Sequence, residues 1–350
     1  DGDVLKYKIE VTDNSKYKFF LGNTTQKEFE IIVDRIPPEA GIIAMSNKIT
    51  YGGSAVVVFF AKDNNLANIS ISNGHQSFVA FPFIKDGYYV SIVPWSIHNP
   101  TFKGRIIVED KAGNIKRSNI GFARYSRNYR TSNLTLKDSF IDNKIASVIE
   151  SVSTISLDSF SSRLEMFKYA NEVIRNNDEN MVYSKILNLD LKDLHQINVF
   201  KPLKDAVIVG MFGDHREYTL NKEPAGESYH LGIDLANVKN AQVFASNDGV
   251  VVLKEGLGIY GNTIVIDHGL GVSTLYSHLS EFYVKEGDVV KKGDVIARTG
   301  ASGLAFGDHL HFGVLIQGVF ALSTEFMDSR WLKTNINDVL SEAINIIENR

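Results

Sequence analysis

The sequence predicts a multidomain, mainly β protein: an N-terminal β-sandwich, a helical linker and a C-terminal antiparallel all-β domain. Three observations support this prediction. Residues 1–125 contain short strand-like runs separated by turn signals, residues 137–200 contain no glycine or proline, and glycine-punctuated strands return after residue 200. A chain of 350 residues is also longer than one hydrophobic core ordinarily organises, which favours two or three domains.

The composition excludes several classes of protein. A formal net charge of −4 gives no basic field, so we expect no nucleic-acid partner. No segment reaches the ~18 uninterrupted apolar residues that a spanning helix needs. The chain has no cysteine, so disulfides and thiolate sites are excluded, and any metal must be held by His, Asp or Glu.

The first third of the chain predicts strands. "YKIEV" (7–11) alternates polar and apolar residues, whereas "AVVVFFA" (55–61) has the continuous apolar pattern of a buried strand. "VEDKAGN" (108–114) and "DRIPP" (34–38) resemble segments of bacterial immunoglobulin-like modules. The resemblance implies an immunoglobulin-like β-sandwich over residues 37–125, preceded by residues 1–36 as a partial unit or as added strands.

The middle of the chain predicts two or three helices. We assign a helical linker region to residues 126–199 and a C-terminal helix to residues 335–350, because apolar residues recur at helical spacing in both. In the linker these residues are Ile141, Ile145, Val148 and Val152, then Leu164, Phe167, Ala170 and Ile174.

Residues 200–334 predict an antiparallel, glycine-punctuated all-β domain. Strand-like runs such as "VVVLK" (250–254), "NTIVIDHG" (262–269) and "HLHFGVLI" (309–316) follow each other at short intervals. Six of the nine histidines of the chain fall between positions 215 and 311, which makes this domain the candidate site of any metal chemistry.

The segment "HLHFGVLI" contains two histidines in one strand-like run. Alternate side chains of a strand share a face, so His309 and His311 point the same way, about 6.6 Å apart. Both imidazoles could bind one metal, or one could bind it while the other reaches the metal's water. Taken alone, an H-x-H pair is also compatible with packed or surface histidines.

The segment "HLGID" adds His230 and Asp234. On a straight strand their positions are roughly 13 Å apart, too far for both to reach one ion. The chain must therefore bend between them, and Gly232 gives the necessary freedom. Two histidines and one carboxylate form a common open zinc set that leaves a position for water.

Zinc hydrolysis also needs a group that takes the proton of the water. The Glu of an H-E-x-x-H motif is absent, because Leu231 and Gly232 follow His230. The remaining candidates are His278, in the strand-like run "TLYSHLS", and one histidine of the H-x-H pair.

These motifs, in their order, resemble the lysostaphin-type (LytM-like) zinc peptidoglycan endopeptidases over about residues 205–320. The resemblance implies one zinc per chain, held by His230, Asp234 and His311. It also implies that His278 and His309 are the catalytic histidines that activate water and stabilise the oxyanion. All five positions are filled, whereas amidase-activating relatives have lost theirs.

Other residues near the motifs have weaker assignments. His268 in "IDHG" is expected to be structural. His215 and Arg216 could line the groove or form a surface turn, and Tyr260 and Asn262 lie in a glycine loop that could border the cleft.

The resemblance implies a zinc metalloendopeptidase that hydrolyses peptide cross-links of bacterial peptidoglycan, as a D,D-endopeptidase. The expected substrate is the peptide stem, and the expected location is the cell envelope, in the periplasm, with an inner-membrane anchor upstream of Asp1. An envelope regulatory protein is the other expected partner. The alternatives are a non-catalytic envelope protein that binds peptidoglycan or activates another hydrolase, and an adhesion or secretion module.

The region before the peptidase motifs has two interpretations. An open zinc position is easily blocked, so the helical stretch 137–197 could pack over the groove and limit access. Alternatively, these residues only separate the enzyme from the membrane or bind a partner.

Overall fold

The computed structural model describes residues 2–16, 19, 21–187 and 197–349 of the chain. These residues form a mainly β structure with a helical segment in the middle, which confirms the predicted fold class. Residues 188–196, the end of the predicted helical linker region, lie outside the described residues. Within the described ranges, no helix combines the length and apolar character that a membrane span requires.

The described chain begins with an antiparallel hairpin of β1 (Val4–Thr12) and β2 (Thr24–Ile32). One face is largely apolar, with Tyr7 opposite Phe29, and every residue of both strands is exposed. Within the described ranges the hairpin is a separate two-stranded sheet. The strands of residues 1–36 therefore stand apart from the sheets of the following sandwich.

The sandwich consists of two antiparallel four-stranded sheets and a short parallel pair. The first sheet has the order β3-β5-β9-β8, the second has the order β11-β10-β6-β7, and β12 pairs with β4. The strands are β3 (Glu39–Met45), β4 (Lys48–Thr50), β5 (Ser54–Lys62), β6 (Leu66–Ser72), β7 (Ser77–Val79), β8 (Phe81–Phe83), β9 (Lys85–Pro94), β10 (Arg105–Asp110), β11 (Ile115–Asn119) and β12 (Ala123–Tyr125).

Strand β5 joins two hydrophobic cores because it is buried on both faces. Val57 and Phe59 belong to the core between the two sheets of the sandwich. Val56 and Val58 belong to a second core, which is shared with the helices and the C-terminal half. The continuous apolar run predicted from the sequence is thus a central strand with a core on each side.

The segment between the sandwich and the C-terminal half contains one strand and a series of short helices. Several α-helices are interrupted by π-helical turns. The elements are β13 (Thr131–Leu136), α1 (Asp138–Phe140), a π turn (Ile141–Ile145), α2 (Ala146–Val152), a 3₁₀ turn (Leu157–Ser159), α3 (Arg163–Lys168), a second π turn (Tyr169–Ile174) and α4 (Arg175–Leu187).

The C-terminal half is built on a large antiparallel sheet with the order β14-β17-β25-β21-β20-β19-β23, and β26 pairs with β25. A smaller sheet has the order β18-β24-β22. The strands are β14 (Val207–Gly210), β15 (His215–Leu220), β16 (Glu223–Tyr229), β17 (Ile233–Ala236), β18 (Gln242–Phe244), β19 (Gly249–Leu257), β20 (Gly261–Asp267), β21 (Val272–Ser277), β22 (Glu281–Phe282), β23 (Val289–Val290), β24 (Val295–Arg298), β25 (Leu310–Ile316) and β26 (Val319–Ala321).

Strand β13 corrects the prediction of a helical linker over residues 126–199. It pairs in parallel with β15, Ser132 opposite Arg216, and so forms a three-stranded sheet with β15 and β16. The helical spacing begins only after this strand, and no local pattern indicates a partner more than eighty positions away.

The C-terminal helices return the chain to the sandwich. They are α5 (Ser323–Met327), α6 (Ser329–Leu332), a π turn (Lys333–Asn337) and α7 (Asp338–Glu348). Helix α7 packs on β3 and β5, and the Ser46 hydroxyl donates a 2.7 Å hydrogen bond to the carbonyl of Asn335. The predicted helix over 335–350 therefore connects the two halves of the protein.

Glu325 of α5 places its carboxylate between the C-terminal helices and the sandwich. The residue is 6% exposed, and its Oε2 accepts a hydrogen bond from the Ser54 backbone NH at 3.0 Å. Burial raises the pKa of Glu325 from 4.5 to about 8, against the smaller lowering effects of the Ser54 NH and of Arg127. The folded chain therefore holds a proton that the unfolded chain releases at lower pH.

We expect the stability contributed by this proton to be full below pH 4.5 and to be lost as the pH rises to about 8. Calorimetric unfolding of the native chain and of Glu325→Gln at pH 5 and pH 8 measures it. The advantage of the native chain over the variant should fall by a few kcal/mol, on the order expected from the shift. Glu342→Gln, at an exposed position of α7, is the control. A difference that does not change with pH would contradict the assignment.

Candidate metal centre

Three side chains predicted to share a metal converge in the C-terminal sheet. His230 Nε2 lies 2.9 Å from Asp234 Oδ1 and 3.0 Å from His311 Nδ1, and His311 Nδ1 lies 3.0 Å from the same carboxylate oxygen. Ligand atoms around a tetrahedral zinc, with bonds of ~2.0–2.1 Å, are about 3.3 Å apart. The triangle of donor atoms therefore fits one small divalent ion within a few tenths of an ångström.

Strand pairing and a bend create this convergence. Asp234 and His311 are directly opposite each other in the antiparallel pair β17–β25. The chain bends at Gly232, and β17 begins only at Ile233, which returns His230 to its partners. A Cβ at position 232 would lie 2.7 Å from His311 Nε2, so only glycine fits there. The predicted break between residues 230 and 234 is confirmed.

The backbone fixes the orientation of His230. Its Nδ1 lies 2.8 Å from the carbonyl oxygen of Met211, directly after β14. A carbonyl accepts only from a protonated nitrogen, so Nδ1 carries a proton, and in the neutral tautomer Nε2 offers its lone pair to a metal. The sequence gives no signal for this contact, because the acceptor is a main-chain oxygen.

The protonation of the other two side chains suits metal binding. Burial acts to raise the pKa of Asp234, but interactions with His230, His309 and His311 outweigh it and hold that pKa far below its usual range. Burial lowers the pKa of His311 to about 4. One ionised carboxylate and neutral imidazoles are the donor set of an open divalent-metal site.

The two remaining histidines of the prediction lie beside this triangle. The His278 ring is 4.8 Å from the His309 ring and 5.8 Å from the His311 ring. His309 Nε2 lies 3.6 Å from Asp234 Oδ1. The structure thus brings together all five residues that the sequence analysis singled out.

Main-chain carbonyls also orient these two rings. His278 Nδ1 lies 2.8 Å from the Ser302 carbonyl, and His309 Nδ1 lies 2.8 Å from the Gly307 carbonyl. Both rings therefore hold their proton on Nδ1 and leave Nε2 unprotonated when neutral. Burial places the pKa of His278 well below its usual value, whereas for His309 the same effect is outweighed by Asp234, which raises the pKa.

The local backbone differs from the expected strands at both histidines. Strand β21 ends at Ser277, and His278 adopts a left-handed conformation with φ of 61°. His309 precedes β25 and forms only an isolated bridge with Gly300. A positive φ is uncommon at a non-glycine residue, although eight other described non-glycine residues of this chain also adopt it.

Comparison with known proteins identifies the domain that carries this site. Residues 228–321 match the sequence model of peptidase family M23. This part of the chain is an M23 peptidase domain. The resemblance stated from the motifs is confirmed.

Relatives of the M23 domain include enzymes of the bacterial cell wall. The DD-carboxypeptidase/endopeptidase Mpg of Neisseria meningitidis serogroup B is 46% identical over 89 residues, which are 25% of this chain and 20% of that protein. The peptidoglycan DD-endopeptidase ShyB of Vibrio cholerae is 37% identical over 108 residues, 30% of this chain and 25% of that protein. The chain thus spans about a fifth to a quarter of the length of these relatives.

A solved structure shares the overall fold. A structure described as a peptidase M23 from Pseudomonas aeruginosa is similar with a TM-score of 0.50 and 17% identity, and the match covers 80% of this chain and 95% of that chain. The similarity extends well beyond the M23 domain itself.

The other residues considered from the sequence have the following places. His268 is buried between the Asp248 carbonyl and the Thr274 hydroxyl, at 2.8 and 2.7 Å, which suits its expected structural role. His215 stacks on Tyr229. The Tyr260 ring lies 5.6 Å from the His311 ring, and the Asn262 side-chain amide donates a hydrogen bond to the Leu279 carbonyl.

The helical segment contacts two loops that flank the site. The Asp178 carboxylate of α4 accepts hydrogen bonds from the backbone NH groups of Gly258 and Ile259, at 3.0 and 2.7 Å. This loop continues to Tyr260, whose carbonyl accepts from the backbone NH of His278.

The second flanking loop, residues 301–308, is contacted from the start of the helical segment. Phe140 stacks on Phe306 with ring centres 4.9 Å apart. The Lys144 ammonium donates a 2.8 Å hydrogen bond to the Ala301 carbonyl. The loop runs into His309, so the helices support the backbone on both sides of the histidine cluster.

We expect His311→Ala to lose most of the metal bound by the native chain, because only two of the three donor atoms, those of His230 and Asp234, are left in the variant. Elemental analysis after dialysis against buffered zinc measures the stoichiometry, which should be about one per native chain. His215→Ala, which removes an imidazole outside the triangle, should keep the native stoichiometry. Full metal retention by His311→Ala would refute the assigned ligand set.

Proposed function

We propose that this chain is a zinc-dependent endopeptidase that hydrolyses D,D peptide cross-links of bacterial peptidoglycan in the cell envelope. The observation that carries the proposal is the convergence of His230, Asp234 and His311 with two further histidines beside them. The M23 family and the DD-endopeptidase relatives support the substrate class.

The chain's own residues suit peptide hydrolysis. A zinc ion held by His230, Asp234 and His311 would polarise the scissile carbonyl and acidify a water molecule. His278 and His309 then serve proton movement, since each has one nitrogen fixed on a carbonyl and the other available. The two rings are 4.8 Å apart, and His309 Nε2 lies 3.6 Å from Asp234 Oδ1, so both rings are next to the donor triangle.

The alternative is an envelope protein that binds peptidoglycan or activates another hydrolase without cleaving. Such a protein has no need of two oriented histidines beside a donor triangle. Purified peptidoglycan incubated with the zinc-loaded chain distinguishes the two functions, because only an endopeptidase releases cross-link fragments whose masses identify the cut bond.

Replacing either adjacent histidine should separate metal binding from catalysis. We expect His278→Ala and His309→Ala to keep zinc and to lose activity by ~10²–10⁴-fold, the usual contribution of a general acid or base. Zinc content and the rate of fragment release are measured on the same samples. Metal loss as complete as that of His230→Ala would show that the residue is a ligand.

The helical segment contacts two loops that flank the site, and we propose that it limits access to the groove. Asp178→Ala removes two hydrogen bonds to the loop before Tyr260 and should loosen the helices from the M23 domain. We expect cleavage of intact peptidoglycan to rise by up to about 30-fold, because two hydrogen bonds of about 1 kcal/mol each are lost. Asp158→Ala, at an exposed position of the same segment, is the control. Unchanged or slower cleavage by a folded variant would favour the spacer.

A further inference from the structure

We infer that Arg216 binds a carboxylate of the stem peptide beside the scissile bond and thereby determines substrate specificity. The inference rests on the proposed function, since it names the part of the substrate that this residue recognises. Arg216 lies on β15, before the segment that matches the M23 family model.

The guanidinium of Arg216 stands at the edge of the donor triangle. Its Nη2 lies 3.7 Å from Asp234 Oδ2, whereas the histidines approach the other oxygen, Oδ1. The side chain of Arg216 is 28% exposed, so a ligand can reach it. In the described part of the chain, no other Arg or Lys is ion-paired with a member of the triangle.

A hydrogen-bonded frame of partly buried residues holds Arg216 in this position. Its Nε donates to Asp214 Oδ2 at 3.3 Å, and the Ser132 hydroxyl donates to Asp214 Oδ1 at 2.6 Å. The Asp214 carbonyl accepts from the backbone NH of His230 at 3.0 Å. Arg216 is therefore fixed relative to a metal ligand, and strand β13 contributes to the frame through Ser132.

The guanidinium keeps donors for a ligand. The Arg216–Asp234 separation of 3.7 Å is an ion pair and is too long for a hydrogen bond. The N–H groups of Nη2 therefore remain able to donate to a ligand. The Asp214 contact uses only Nε. Two terminal nitrogens with parallel N–H groups are the arrangement that binds a carboxylate through two hydrogen bonds.

The charge balance of the loaded site also favours an anion. A divalent ion with the Asp234 carboxylate leaves one net positive charge, and Arg216 with Asp214 adds none. The centre therefore attracts a negative group of the substrate that lies close to the bound carbonyl.

A D,D bond supplies such a group. In a D-alanyl-D-alanine terminus, and in a cross-link to the D-centre of a diamino acid, a carboxylate sits on the carbon that bears the scissile nitrogen. A carbonyl placed at the donor triangle puts this carboxylate at its edge. One arginine would then recognise both the terminal and the cross-linked bond.

Paired peptides test the inference. One carries the free carboxylate on the carbon next to the scissile nitrogen, and the other carries a carboxamide there. We expect the native zinc-loaded chain to prefer the carboxylate about tenfold or more in kcat/KM, as charge-assisted recognition predicts. Arg216→Gln should lose the preference, and Arg216→Lys should keep part of it.

Binding to the metal-free chain gives a second readout that does not depend on turnover. Calorimetric titration should show tighter binding of the carboxylate peptide than of the carboxamide, and Arg216→Gln should abolish the difference. Zinc content checks that Arg216→Gln keeps its site, and Arg117→Gln, on the exposed surface of the sandwich, is the matched control. If Arg216→Gln loses zinc, the inference is tested with Arg216→Lys and with the titration of the native metal-free chain. Neither of these depends on zinc binding by Arg216→Gln.

The outcomes separate the two proposals. Equal cleavage and equal binding of both peptides by the native chain overturn the role of Arg216 and leave the endopeptidase standing. Preferential binding without cleavage of either peptide supports the role of Arg216 and overturns the endopeptidase. Loss of the preference in Arg117→Gln would also overturn the assignment to Arg216.

Discussion

The organisation of the site depends on bringing three donor atoms, from positions 230, 234 and 311, to within about 3 Å of each other. Strand pairing sets two of them face to face, and a bend at Gly232 returns the third. Burying a carboxylate and several imidazoles together costs desolvation free energy. Only hydrogen bonds or a bound metal can offset this cost, so polar groups left without partners would destabilise the fold. The backbone holds three of the four histidine rings in place, those of His230, His278 and His309.

Carbonyl groups provide that support. The oxygens of Met211, Ser302 and Gly307 each accept a hydrogen bond from one histidine; Met211 directly follows β14, and the other two residues lie in the loop 301–308. The left-handed backbone of His278 belongs to the same constraint, because it turns the ring back toward the other histidines.

The site also extends beyond the M23 match. Met211, Asp214 and Arg216 precede residue 228, and Ser132 lies on a strand before the helices. One hydrophobic core runs from the sandwich through the helices to the large sheet of the C-terminal half. The upstream half is consequently part of the scaffold of the metal centre, in addition to any effect on access.

The sequence by itself determined the fold class and the identity of the five central residues. Alternation, turn spacing and the lack of glycine and proline over 137–200 are local signals, and local periodicity sets secondary structure. The need for a bend at Gly232 also followed from strand geometry alone. Tertiary structure decided the parallel pairing of β13, the carbonyl acceptors, the backbone of His278 and the place of Arg216. These features depend on contacts between positions far apart in the chain, such as Ser132 and Asp214, or on main-chain atoms that every residue type shares. No residue pattern distinguishes them until the chain is folded.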